Sequence, residues 1–469
     1  MKSNLVWLAL LLSLPASLLA QPAPRTNLRA LDALFAEHVR SKKLPGLSVG
    51  IIEGGRLVFA KGYGKRSLQD DLPVKTDTRF AIGSVTKQFT CACALMLCEL
   101  GKLSVYDPVA KFYPDLKRAK DIQILDLMNH TSGYPDYYPL DFVDRRMAQA
   151  IKADDLIRKY AGGEVRLDFE PGTAYSYSNT GYILLGRIIE KVSGQPFGTF
   201  LQQKIFDPIG MADTLYDPDP SSDGIAKGYT TFALGPPEAN IPEGKGWVGA
   251  AGGIYSTPTD LAKWDIALLN GKVVNRASWS LMTSRRRLRN GSLSNYGCGL
   301  GVGNRSNREL LSHSGAINGF AAWNGLIPSM GAGVILFCNR DGGLVGLSDP
   351  VLKIILQTSP QAQSSRVPEV AGDDIETSVR VVFQMLQRGK VTRTLFTPDF
   401  NDYLTDERIA AAARRLSKYG PPGRLVLLMQ RERGGMAVTR TRMHFGKQSL
   451  SVLMYRHSSG LIAQFFVRP

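Results

Sequence analysis

The sequence predicts an α+β protein in which one antiparallel sheet is built from both ends of a long first region, with flanking helices, followed by a small second α+β unit. Three observations carry this expectation. Alternating strand-like segments lie at 47–60 and again at 297–338, with helical periodicity between them. Residues 359–371, Ser-Pro-Gln-Ala-Gln-Ser-Ser-Arg-Val-Pro-Glu-Val-Ala, have the composition of a linker. Beyond them, helical periods are followed by four more alternating segments.

The elements follow in chain order. Residues 1–20 begin with Lys2, continue through an apolar run at 5–14 and close on the small Ala20. That is the pattern of a secretory signal peptide, so the expected location is periplasmic or secreted. The run is too short to span a bilayer, and no later stretch reaches about 18 apolar residues. Residues 28–39 have apolar positions at helical spacing. Two strand segments, 47–52 and 56–60, flank Glu53-Gly54-Gly55 and predict a hairpin. Residues 89–100 are apolar nearly all round, which predicts a buried helix, with Gly101 as its C-cap. Further helices are expected at 122–129, 181–193 and 259–270, the last opened by Thr257-Pro258-Thr259-Asp260. Strands are expected at 297–303, 308–313, 320–327 and 332–338, then a closing helix at 349–358. After the linker come helices at 373–388 and 405–418. Strands at 424–432, 436–444, 448–456 and 461–467 follow, with Gly434-Gly435 turning between the first two. The expected organisation is a signal peptide at 1–20, a main domain at 21–358, a linker at 359–371 and a small domain at 372–469.

Composition narrows the function classes. The 469 residues are 44% hydrophobic and 21% charged, which is the balance of a globular chain. Net charge is +16, and residues 369–469 hold 16 Lys/Arg against 9 Asp/Glu. Such a surface can be drawn toward anionic cell-wall or membrane surfaces, or can simply serve solubility. No basic run is interleaved with aromatics, so nucleic acid is not an expected partner. Of five cysteines, Cys91, Cys93 and Cys98 fall in the apolar helix as core residues, and spacing leaves a Cys298–Cys338 pairing open. His38, His130, His444 and His457 lack ligand spacing, so no metal is expected. The Gly-rich string 297–303 lacks the G-x-G-x-x-G spacing of a dinucleotide loop. No cofactor is expected.

Three strings carry chemistry together. Ser84-Val85-Thr86-Lys87 is S-x-x-K, and Ser84 is the only Ser with Lys three places on. At a helix start the two side chains share a face, and a desolvated Lys can act as base for the Ser. Tyr177-Ser178-Asn179 is the only Y-x-N; a Tyr beside a Lys can carry a proton, and an Asn can bind a substrate amide. Standing alone, the string equally fits a turn with a capping Asn. His313-Ser314-Gly315 ends a predicted strand, where Gly lets a substrate backbone lie against the edge. A lone strand His is more often structural.

In this order the strings resemble the serine β-lactamase and penicillin-binding-protein superfamily: class C β-lactamases, DD-peptidases and related esterases. Leu127-Met128-Asn129-His130-Thr131-Ser132-Gly133 resembles the segment that precedes its site, and 175–189 its Y-S-N-x-G-Y stretch. Ala251-Gly252-Gly253-Ile254-Tyr255-Ser256 resembles its later Gly-Gly segment. The likeness covers residues 28–358. It implies a sheet with flanking helices and an all-helical subdomain. It also implies that Ser84 forms an acyl-enzyme, with Lys87 and Tyr177 sharing the base work and water hydrolysing the ester. Asn179, Ser314 and Gly315 would hold substrate, His313 would lie across the site, and the backbone N–H groups of Ser84 and Ala316 would form the oxyanion hole. His313 departs from the Lys usual in class C β-lactamases, which shifts the expectation toward peptidase, amidase or esterase chemistry. The implied partner is a small-molecule or peptide substrate, with cell-wall fragments among the candidates. A carboxylesterase, or a non-catalytic binding protein on this scaffold, are the alternatives. Tyr134, Tyr137 and Tyr138 either line the pocket or pack a loop. The tail is similar to NTF2-like or cystatin-like folds and carries no catalytic constellation. Oligomeric state is open.

Overall fold

The computed structural model describes residues 26–138, 143–356, 369–446 and 448–469. The signal-peptide expectation and most of the linker lie outside these residues. Helix α1 (Leu28–Lys42) starts on Asn27, whose side chain accepts from Ala30 N at 3.0 Å. It ends on Lys43 in the left-handed region at φ 48°. Strands β1 (Gly46–Glu53) and β2 (Arg56–Ser67) form the expected hairpin, and the short β3 (Leu72–Pro73) adds to β2.

The helices between the two halves of the sheet are led by α2 (Thr86–Glu99), α3 (Asn179–Ser193) and α4 (Pro258–Leu269). Helices outside the sequence expectation, Ala153–Ala161 and Arg276–Thr283 the longest of them, accompany them. The chain then returns through β4 (Gly301–Arg305), β5 (Arg308–Ile317), β6 (Phe320–Ile327) and β7 (Ala332–Cys338), and closes with α5 (Ser348–Leu356). The sheet order is β3-β2-β1-β7-β6-β5-β4, antiparallel throughout. Val49 opposite Leu336 marks where the two ends of this region meet.

Period-two alternation decides which residues face which layer. In β7, Val334, Leu336 and Cys338 join Leu31 and Phe35 of α1 and Val351 of α5. Ile335 and Phe337 turn the other way, toward Phe89 and Trp264 of the helical layer. The sheet is thus covered on both faces. Phe89 stacks on Trp264 with ring centroids 3.9 Å apart. A buried polar chain ties the same elements together: Trp264 Nε1 donates to Gln88 (3.1 Å), Gln88 to Asn324 (3.0 Å) and Asn324 to Asp265 (2.7 Å).

Several expected boundaries move. The strands expected at 56–60 and 308–313 extend to Ser67 and Ile317. The strand expected at 297–303 runs instead from Gly301 to Arg305. Gly297 and Gly299 precede it because the chain presses on other backbone there. A Cβ on Gly299 (φ +74°) would lie 2.6 Å from Lys87 O.

The C-terminal region has α6 (Ile375–Arg388) and α7 (Asp406–Leu416), then β8 (Leu425–Arg433), β9 (Met436–Phe445), β10 (Gln448–Arg456) and β11 (Ile462–Arg468) in sequential antiparallel order. Phe383, Leu386, Leu416 and Phe465 share a core with Phe232 and Ala233 from the main region. Arg468 pairs with Asp341 at 3.7 Å, and Arg415 donates to Phe232 O at 3.0 Å. These contacts seat the C-terminal region on the main one. All five cysteines are free thiols. Among the described residues, no helix is long and apolar enough to cross a membrane.

Candidate active site

Ser84 sits in a tight 3-10 turn, Gly83–Val85, that runs directly into α2. Gly83 makes the turn possible at φ +49°. Lys87 lies one turn further on and is fully buried because the helix is packed all round. Its Nζ is 3.0 Å from Ser84 Oγ, 2.7 Å from Asn179 Oδ1 and 2.8 Å from Ala251 O. Burial pushes its pKa down to about 7; the nearby Asp136 opposes this and Arg433 reinforces it. An amine that is half neutral near pH 7, beside a hydroxyl at hydrogen-bond distance, is a competent general base.

Tyr177 is brought to the same cluster by the segment ahead of α3. Lys87 Nζ stands 4.8 Å from the centre of its ring. Its hydroxyl is buried without a hydrogen bond of good geometry. Burial raises the phenol's pKa, and the Ser84 hydroxyl offsets part of that rise. The phenol therefore holds its proton at neutral pH and can donate it.

Asn179 stands between two ionisable groups. Besides Lys87, its Nδ2 donates to Asp136 Oδ1 at 3.1 Å, and its backbone N donates to the same oxygen at 3.0 Å. Asp136 also accepts from Tyr138 N at 3.1 Å. Burial raises the Asp136 pKa, against those N–H donors and the charges of Arg433 and Lys87. No signal singled out Asp136 in the sequence, beyond its place in the aromatic Tyr134–Tyr138 stretch.

His313 lies behind this cluster. Its Nδ1 is 2.7 Å from Ser314 O and its Nε2 is 2.7 Å from the Tyr296 hydroxyl. A carbonyl only accepts, so Nδ1 carries the proton and Nε2 accepts from Tyr296. Burial pushes the imidazole pKa down to about 3, so it is neutral at pH 7. Its ring centre is 6.1 Å from that of Tyr177. Ser314 is exposed. Gly315 is where β5 meets the nucleophile turn: a Cβ there would lie 1.9 Å from Ile82 O. A Cβ on Gly83 would likewise lie 2.9 Å from Ala316 N, so the Ala316 amide is beside Ser84's turn.

An open cavity lies at Ser84, lined also by Asn179, Gly252 and Ala316, with Tyr137 and Tyr138 on its wall. Tyr134 instead packs inside, its hydroxyl on Lys117 O at 2.8 Å. Arg433, from the end of β8, lines the same cavity. The preceding Glu432 accepts from Ser176 Oγ at 2.8 Å. The C-terminal region thus reaches the site, although nothing local in its sequence announces this. Gly46-Leu47-Ser48-Val49-Gly50 spells G-x-S-x-G, the letters of an α/β-hydrolase nucleophile elbow. Ser48, however, is fully buried in the middle of β1, not on a strand-to-helix turn. Among the described residues, no group of His, Cys, Asp and Glu could hold a metal ion.

The fold and this cluster define a class, and comparison with known proteins agrees. The chain belongs to the beta-lactamase family, whose model matches residues 31–356. That places it in the serine-hydrolase superfamily. Among individual relatives, it is 31% identical over 282 residues to penicillin-binding protein 4* of Bacillus subtilis (strain 168), covering 57% of this chain and 62% of that protein, less than two thirds of its length. It is 26% identical to the D-aminopeptidase of Brucella anthropi, over 85% of this chain and 76% of the relative. Among solved structures, D-amino acid amidase from Ochrobactrum anthropi SV3 complexed with D-phenylalanine is similar at TM-score 0.61 and 25% identity, over 70% of this chain and 98% of that one. The octameric penicillin-binding protein homologue from Pyrococcus abyssi shares the fold over 94% of this chain and 99% of its own, at TM-score 0.59 and 21% identity.

Proposed function

We propose that this protein is a serine hydrolase that forms an acyl-enzyme on Ser84 and cleaves amide or ester bonds of D-amino-acid peptides, β-lactams or small esters. The observation that carries the reading is the desolvated Lys87 amine 3.0 Å from Ser84 Oγ. Neutral Lys87 takes the Ser84 proton as Oγ attacks the carbonyl carbon. Negative charge develops on the carbonyl oxygen, for which the amides of Ser84 and Ala316 are the candidate donors; such a donor is worth about 3 kcal/mol. The Tyr177 phenol donates its proton to the departing amine or alcohol and recovers one from Lys87. Water then attacks the ester by the reverse route. His313, neutral and held on both sides, acts by fixing Tyr296 and the end of β5.

The names of the relatives favour D-amino-acid amides and peptides as the first substrates to try. The N-terminal pattern at 1–20 supports an exported, periplasmic or secreted enzyme, with residues 21–358 as the hydrolase domain and 372–469 as an appended one. A panel of nitrocefin, a short-chain aryl ester, a D-amino acid amide and a D-Ala-D-Ala peptide tests the reading beside Ser84→Ala. At least one substrate is expected to turn over in the parent and not in the variant. Equal rates in both would sink it.

A further inference from the structure

The hairpin joining β8 and β9 turns in two residues, Gly434 and Gly435, both at positive φ (56° and 74°). Arg433 and Met436 form its closing pair. This is the tightest connection two strands can make, so the side chain just before it is held by the sheet. The tip is also pinned. Glu432 Oε1 accepts from Gly435 N (2.8 Å) and from Ser176 Oγ (2.8 Å), and Ser176 immediately precedes Tyr177. Arg433 Nη1 donates to the Tyr455 hydroxyl at 3.0 Å. Arg433 thus lines the cavity at Ser84 from a different sheet, on a braced arm.

Among the described residues lining that cavity, no other is Lys or Arg. His313, on β5 behind the cluster, offers no cation, because it is neutral and both its ring nitrogens are engaged. Lys87 is committed to Ser84, Asn179 and Ala251. Asp136 is held by Asn179 and Tyr138. The positive field of Arg433 is felt at Lys87, Tyr177 and Asp136 alike. A guanidinium presents a rigid fork of N–H donors that matches a carboxylate.

Resting on the hydrolase reading above, we propose that Arg433 is a specificity-determining residue that recognises a substrate carboxylate close to the scissile bond. The favoured substrates are then acylated D-aminoacyl-D-amino acids with a free terminal carboxylate, in preference to the same peptides capped as amides. The C-terminal region supplies the charge that the strand at His313 lacks.

The test uses the full chain. The ratio of kcat/KM for N-acetyl-D-Ala-D-Ala to that for its C-terminal amide is measured in the parent and in Arg433→Ala, Arg433→Gln and Arg433→Lys, with an aryl ester as third probe. The parent is expected to prefer the acid. Ala and Gln lower the preference about ten- to a hundredfold, mainly through KM, and Lys recovers part of it. Should Arg433→Ala fail to fold, Gln and Lys still give the comparison. The proposal is overturned if the parent shows no preference, if the ratio stays within about twofold in Gln, or if both peptides lose equally, as for a mere counter-ion to Asp136. It is also overturned if the aryl ester alone is cleaved. In each of these cases Ser84-dependent ester turnover leaves the hydrolase reading standing, whereas its absence on every probe removes both.

Discussion

The Asn179 side-chain carbonyl accepts a hydrogen bond from Lys87 Nζ at 2.7 Å. That contact aims the amine, because among the described residues its other hydrogen-bond partners are Ser84 Oγ and Ala251 O. On its far side the same amide donates to Asp136. One neutral side chain therefore separates an amine and a carboxylate that would otherwise pair directly, and direct pairing would hold Lys87 protonated.

Replacing that amide tests the arrangement. Asn179→Leu leaves Lys87 and Asp136 each short of a partner, at a cost of about 1–3 kcal/mol for each buried group. Thermal unfolding should show the loss, and turnover should fall with it. Asn179→Asp places a second carboxylate beside the amine and should move the ascending limb of the pH–rate profile upward. An unmoved limb would show that Lys87 does not set it.

The amine's burial fixes the pH dependence. The neutral form is the base, and burial disfavours the charged form, so the proton leaves near pH 7. As pH rises through about 7, kcat/KM should rise and then level off. His313 adds no limb in this range because it is already neutral. A rate that falls as pH rises through 7 would contradict Lys87 as the base.

Lys87→Met keeps most of the buried volume and removes the amine. General-base catalysis is worth about 10²- to 10⁴-fold, and kcat/KM should drop by that order while circular dichroism is retained. A variant with near-parental turnover would shift the base work to another group.

Gly315→Ala probes the junction of β5 with the nucleophile turn. The added Cβ would lie 1.9 Å from Ile82 O, so one of the two backbones must move. Overpacking of this kind costs about 1–3 kcal/mol, and a displaced Ala316 amide should also lower kcat at least about tenfold. Parental kcat together with lowered stability would mean that this amide does not serve the reaction.

Short-range geometry was legible in the letters. Ser84 and Lys87 are three apart, and a helix alone places them together. The all-apolar body of α2 announced that the Lys would be buried. Alternation at 320–327 and 332–338 gave two strands at their observed bounds. The helices at Ala153–Ala161 and Arg276–Thr283 went unread, being short and bounded by charged or polar residues. The onset of β4 was misplaced, because close backbone contact at Gly297 and Gly299 leaves no periodic trace.

By itself, then, the sequence determined the sheet-and-helix architecture, the Ser–Lys pair and the order of its companion strings, since each depends on neighbours within a turn or a strand. Tertiary structure alone decided that Asp136, Tyr296 and Arg433 stand around them, and that His313 faces Tyr296. The reason is electrostatic and steric: charge, burial and hydrogen-bond partners at a site sum over side chains hundreds of positions apart, and no local spacing records which of those will meet.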